Sequence, residues 1–95
     1  MKITDVLTDE EIEESVEGSS DVQMIRNIID LVQYPTDTLL NMNTFSERFA
    51  FEIRGFIDEE EGSEEYKKAY NNNVEWGRTI AGNINEVLFL KGRDE

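Results

Sequence analysis

The sequence predicts an all-α protein: a small bundle of about four helices whose carboxyl-terminal half is an antiparallel helical hairpin. Three observations lead there. Apolar residues recur at three- and four-residue intervals, the signature of helices with one buried face. No stretch shows convincing strand alternation, and no hairpin signal competes. Three capping boxes, Ser or Thr followed three positions later by Glu or Gln, stand ahead of apolar runs at Thr8/Glu11, Ser20/Gln23 and Thr44/Glu47. The chain has 95 residues, 38% of them hydrophobic. That suits a single domain over residues 1–95, which buries roughly two-thirds of its unfolded surface.

Each element has a local cause. In the first helix, Thr8 and Glu11 satisfy two otherwise orphan backbone donors, Leu7 and Ile12 form the accompanying hydrophobic staple, and Gly18 is the expected stop. Ser20 and Gln23 open the second helix, where Val22, Ile25, Ile29 and Val32 lie at helical spacing and Met24, Ile28 and Leu31 widen the stripe. A helix apolar over more than half its circumference is central to a bundle or buries its extra face in a partner. Pro35 forces Tyr34 out of helical geometry and ends it. The stretch "PTDTLLNMN" reads as a short helix or an irregular crossing. Thr44 and Glu47 open the third helix, and Phe45, Phe49, Ile53 and Phe56 form one face expected to be buried. That helix is expected to run to about Glu61, with Gly62 adopting the left-handed conformation that closes helices.

Ser63 caps the last helix, which carries Tyr66, Tyr70, Val74, Gly77, Ala81, Ile84 and Leu88 on one face. Lys91 suits the negative end of its dipole, and Gly92 follows. The segment "NNNVEWGRTIAGNIN" is its weak point, because five Asn and two Gly are poor interior helix formers at about 0.5 to 1 kcal/mol apiece. Gly77 and Ala81, one turn apart, offer a remedy: a neighbouring backbone or a Phe ring can approach closely there.

The net charge is −13, and two short runs hold nearly all of it. Residues 1–20 contribute −6, and "DEEEGSEE" at residues 58–65 contributes another −6. Acids in a first helical turn are favourable, which accounts for Asp9, Glu10, Glu11, Glu64 and Glu65 without any partner. Asp58, Glu59, Glu60 and Glu61 are expected at a helix carboxyl end, where dipole and mutual repulsion both oppose them. Glu13, Glu14 and Glu17 continue along the first helix beyond its favourable turn.

Several chemistries are excluded or disfavoured. The chain has no His and no Cys, which removes Ser-His and Cys-His nucleophile pairs, thiolate metal sites and disulfides. Acids in exposed runs lack the desolvated cleft that acid-base catalysis or metal binding requires. Counting back from Gly62 puts Ile57 at the first position of an EF-hand loop, which needs an oxygen ligand there. "GRTIAG" lacks the Lys-Ser/Thr of a phosphate-binding loop. No catalysis, cofactor or metal is therefore expected. Direct nucleic-acid binding fails at −13, because affinity for phosphates comes from Lys and Arg. Lys67 and Lys68 are expected to pair with Glu64 and its neighbours, leaving little beside Arg78 for a basic strip. No apolar run approaches a membrane span and the amino terminus lacks a leader's apolar core, so a cytoplasmic setting is expected.

The functional expectation is a protein-binding inhibitor or modulator whose acids engage the basic surface of a nucleic-acid-handling protein. Carboxylates at i and i+4, such as Glu10 and Glu14, lie about 6 Å apart, a spacing similar to that of phosphates along a DNA strand. Small acidic helical mimics that disable restriction, CRISPR or repair enzymes occur among phage and mobile-element proteins, and this chain is analogous in charge and size. The candidate contacts are Asp58, Glu59, Glu60, Glu61, Glu10, Glu13, Glu14 and Glu17. The alternative expectation is a helical oligomerising or assembly module, such as a phage scaffold or virion-associated protein. That module would homodimerise through the wide apolar face of the second helix, Phe51 and Leu88 to Leu90.

Overall fold

The computed structural model describes residues 2–16, 21–33 and 38–93. Among the described residues there are five α-helices, one 3-10 turn and no strand: α1 (Ile3–Val6), α2 (Asp9–Ser15), α3 (Val22–Val32), α4 (Met42–Glu52), the 3-10 turn Arg54–Phe56, and α5 (Glu64–Arg93). The all-α class stands. The 30-residue α5 spans about 45 Å at 1.5 Å per residue. It therefore sets the long dimension of a molecule measuring 49 × 25 × 18 Å.

The amino-terminal segment forms two short helices instead of one. The Thr8 box closes as expected: the Glu11 N–H donates to Thr8 Oγ1 at 3.1 Å and the Thr8 N–H to Glu11 Oε1 at 2.9 Å. Both staple residues, Leu7 and Ile12, are buried. Arg26 of α3 locks the α1–α2 junction. Its guanidinium donates to the carbonyls of Thr4 and Leu7 and to Asp9 Oδ1, each at 2.8 Å. The two carbonyls belong to α1 and its C-cap, acceptors that a four-residue helix cannot satisfy internally.

Two caps differ from expectation. The cap of α3 is Asp21, whose Oδ1 accepts the Gln23 N–H at 2.9 Å, while the Gln23 side chain turns to Asn27. Ser20, Gly18, Tyr34 and Pro35 lie outside the described residues. Asn41 caps α4 by accepting the Thr44 N–H at 3.1 Å. Thr44 thus sits inside the first turn and forms no capping box with Glu47. Residues 38–41 are not helical.

The third expected helix ends nine residues early, at Glu52 instead of Glu61. Ile53 leaves helical dihedrals (φ −98°, ψ 5°), a single 3-10 turn follows, and Ile57 is extended. Phe45, Phe49 and Ile53 stay in the core, but the change of direction carries Phe56 off their stripe, leaving it 80% exposed. Gly55 is a poor helix former by about 1 kcal/mol. Continuing the helix would also set four carboxylates against its own terminal carbonyls. The early end avoids both costs.

The Asn-rich segment remains helical throughout, because its small and polar residues are spent on tertiary contacts. A Cβ at Gly77 would stand 2.9 Å from the Ser46 Cα and 3.1 Å from the Phe49 ring, so α4 and α5 touch there almost backbone to backbone. Ala81 and Ile84 continue the buried face, and Ser46 is fully buried opposite. One turn beyond, Asn85 clasps the Leu40 backbone from both sides: its Oδ1 accepts the Leu40 N–H at 2.7 Å and its Nδ2 donates to the Leu40 carbonyl at 2.9 Å. Asn83 donates to the Ser15 carbonyl at 3.1 Å, fastening α2 to the same helix. Residue numbers rise along α4 as they fall along α5 (Leu40 with Asn85, Ser46 with Gly77). At the far end Gly92 lies inside α5 and does not stop it. Lys91, in the last turn of α5, also donates to the Val6 carbonyl and pairs with Glu11 at 2.6 Å.

Gly77 and Gly82 of α5 should respond to alanine in opposite directions. Gly77→Ala gains about 1 kcal/mol of helix propensity, but its methyl meets immobile backbone. We expect a net loss of about 1 to 2 kcal/mol, seen as a lower urea midpoint. At Gly82 the nearest atom to an added methyl is the Met42 Cε at 3.5 Å, an ordinary contact, so Gly82→Ala should raise the midpoint. Equal responses would show that α4 and α5 do not meet at Gly77.

Candidate functional site

Where α4 ends early, a groove of about 650 Å³ opens between the start of α3, residues 53–59 and the first half of α5. Its apolar lining comes from Met24, Ile53, Phe56, Ile57, Ala69 and Trp76. Trp76 is tied to the core aromatics behind it: Phe45 stacks on Phe49 with centroids 6.2 Å apart, and Phe49 meets Trp76 edge to face at 5.1 Å. Trp76 is thereby held by one face of its environment while 37% of its surface remains open. Asp21, Asp58 and Glu59 complete the rim, and no Lys or Arg is among the described lining residues.

The acidic stretch is a turn leading into α5. The Ser63 N–H donates to the Glu60 carbonyl at 3.0 Å, and Gly62 between them has φ 91°. That left-handed value, at the third position of the turn, is one that glycine alone adopts without strain. Ser63 then caps α5 by accepting the Tyr66 N–H on its Oγ at 3.1 Å. Asp58, Glu59, Glu60 and Glu61 are all exposed, and none enters an ion pair among the described residues. They stand before a helix amino terminus, where the dipole is favourable to anions. The expected conflict with a helix carboxyl end does not exist.

The first acidic run divides in two. Glu10, Glu13 and Glu14 face outward from α2, opposite buried Ile12, Ser15 and Val16; Glu17 lies outside the described residues. Asp9 and Glu11 are instead structural, paired with Arg26 and Lys91 at 2.8 and 2.6 Å. The Lys91 hydrogen bond and then the Thr8 N–H hold the Glu11 carboxyl below its ordinary value of 4.5, against an opposing effect of burial. The structure does not gather the two runs into one patch. Asp58 and Glu59 share the groove with Asn73, whereas Glu11 reaches Lys91, about 27 Å further along α5 by its rise.

Lys67 pairs with Glu64 at 3.6 Å and Arg78 with Glu75 at 3.4 Å, both exposed and worth under about 1 kcal/mol. Phe51 is roofed by guanidinium groups, with Arg54 at 3.8 Å and Arg48 at 5.4 Å from the ring centroid. Leu31 is 63% exposed on the outer side of α3, while Ile25, Ile28 and Ile29 are core. Among the described residues no group of three or more acids could hold a metal ion. No described helix is long and apolar enough to cross a membrane. Sequence reasoning missed Phe56, Ile57, Trp76, Met24 and Asp21 as one site. Their only forward signal was the position of Phe56 and Ile57 immediately before the acids.

No protein-family model, no curated protein and no solved structure matches the chain.

The depressed Glu11 carboxyl gives a pH signature. Its stabilising contribution is complete above 4.5 and is lost as pH falls through the lower value in the folded state. Wild type should therefore be more stable than Glu11→Gln at pH 7, with the gap closing on acidification below that point. A gap that persists at pH 2 would show that the Lys91 link is not the cause.

Proposed function

We propose that this chain is a non-catalytic protein-binding inhibitor or modulator that presents Asp58, Glu59, Glu60 and Glu61 to the basic surface of a nucleic-acid-handling protein. One observation carries the reading: four exposed carboxylates that enter no ion pair among the described residues adjoin an open apolar groove. Unpaired acids attract Lys and Arg at long range and accelerate encounter. The neighbouring apolar surface supplies the desolvated contact that charge alone does not. Glu10, Glu13 and Glu14, exposed along α2, add a second strip with roughly phosphate-like spacing. A nucleic-acid mimic of this design, phage or mobile-element encoded and acting in the cytoplasm against a defence enzyme, is the form that charge and size favour.

A second reading, an oligomerising assembly module, draws on Leu31, Phe89 and Leu90, each more than half exposed. A dimer that persists at high salt in sedimentation equilibrium would favour it, and a monomer would remove it.

Reversal of Glu59, Glu60 and Glu61 to Lys tests the first reading. The exposed sites should tolerate it within about 0.5 kcal/mol. Capture of a nucleic-acid-binding protein from host extract should be lost in the variant. For the unaltered chain, capture should be displaced by duplex DNA and weaken steeply between about 0.05 and 0.5 M salt as screening shortens the Debye length. Capture indifferent to the reversal or to salt would refute the reading.

A further inference from the structure

We infer that the groove beside the acidic turn is the docking site for a partner segment that carries a large apolar side chain flanked by Lys or Arg. The inference rests on the protein-binding reading above and adds the chemistry of what is bound. Charge complementarity argues for this occupant. Met24, Ile53, Phe56, Ile57 and Trp76 offer an apolar surface, while Asp21, Asp58 and Glu59 ring it with carboxylates and no cation is among the described lining residues.

A wholly apolar ligand would leave those carboxylates without counter-charges, and burying them unpaired is costly. A purely cationic one would leave Phe56 in water. An anchor with basic flanks satisfies both. Asp21 already accepts the Gln23 N–H as the α3 cap, so its carboxylate is held in place at the rim. Glu60 and Glu61 extend the same charge away from the groove along the turn, where further basic residues of the partner would lie.

Phe56 is the decisive side chain. It is 80% exposed at a position where the helical stripe would have buried it. The 3-10 turn Arg54–Phe56 and the extended Ile57 hold it at the groove. An aromatic so exposed, beside an open Trp and a cluster of carboxylates, matches the aromatic-rich centre and polar rim of protein interfaces. Removing it should cost binding and leave the fold intact.

Trp76 is the only Trp in the chain and lines the groove, so its fluorescence reports occupancy directly. The probe is a Trp-free amphipathic peptide of about 14 residues built from Leu and Lys, with Leu at i, i+3 and i+4 spacing. The control peptide replaces every Leu by Ala at the same charge. The Leu/Lys peptide should shift Trp76 emission saturably at one peptide per chain, and the Ala/Lys control should not. Phe56→Ser and the pair Asp58→Asn, Glu59→Gln should each weaken binding about tenfold or more, with unchanged circular dichroism.

No emission shift, or equal binding by Phe56→Ser and wild type, would overturn the inference. So would an emission change produced by raising protein concentration alone, which would make a second copy the occupant. If host capture remains salt-sensitive and reversal-sensitive while the peptide fails, the groove is refuted and the acidic-surface reading survives. If the peptide binds as described while capture ignores charge reversal, the mimic reading falls and the groove stands.

Discussion

The backbones of α4 and α5 nearly touch at Ser46 and Gly77, and the positions of the groove, of Trp76 and of the Asn85 clasp all follow from that contact. Without a Cβ at residue 77, α5 approaches α4 until a methyl there would be 2.9 Å from the Ser46 Cα. That approach places Phe49 against Trp76, which fixes the inner side of the groove. It also brings Asn85 within reach of both polar groups of the Leu40 backbone. A segment of low helix propensity is thus helical because its side chains are smaller or more polar than a good helix former's. Packing and long-range hydrogen bonds outweigh a local penalty of several kcal/mol.

A second constraint is electrostatic. Four successive acidic residues cannot comfortably follow a helix, since the terminal carbonyls are already partly negative. The chain separates them from α4 with one 3-10 turn and an extended residue, then turns at Gly62 so that they precede α5. The same departure from helical geometry moves Phe56 out of the core. One local event therefore exposes an aromatic, frees the carboxylates and opens the groove between them. The mutual repulsion of the acids remains as a cost, and an incoming cationic partner would relieve it.

Much of this was legible in the sequence where cause and effect are local. The Thr8 box, the left-handed Gly62 and the Ser63 cap follow from residues within one or two turns, although Gly62 closes the acidic turn and not, as expected, a helix; on α5 the expected Gly77, Ala81, Ile84 and Leu88 are buried, but Ile80 joins them and Tyr66, Tyr70 and Val74 are only half-buried. The close approach at Gly77 was also readable, because two small residues one turn apart have few other uses. The caps of α3 and α4 were misplaced where cap-forming residues crowd together: Ser20 precedes Asp21, and Asn41 lies one turn before Thr44. Nothing local separates such candidates; tertiary packing decides where the helix begins. The end of α4 was missed because the apolar period runs on to Phe56, although the helix does not. The groove had no linear pattern at all, since its walls come from α3, residues 53–59 and α5.

The division of the acidic residues follows the same logic. Composition counts carboxylates but does not distinguish Glu11, clamped by Lys91, from Glu10 and Glu14, which face water. Only the packing of α2 on α5 assigns those roles. That packing and the Gly77 contact hold the molecule together, and a nuclear Overhauser spectrum of the isotope-labelled chain reads both. The spectrum should contain a cross-peak between the α protons of Gly77 and Ser46, ring contacts between Trp76 and Phe49, and unbroken helical connectivities through residues 71–85. Absence of the Gly77–Ser46 cross-peak, with connectivities interrupted in that segment, would contradict this packing.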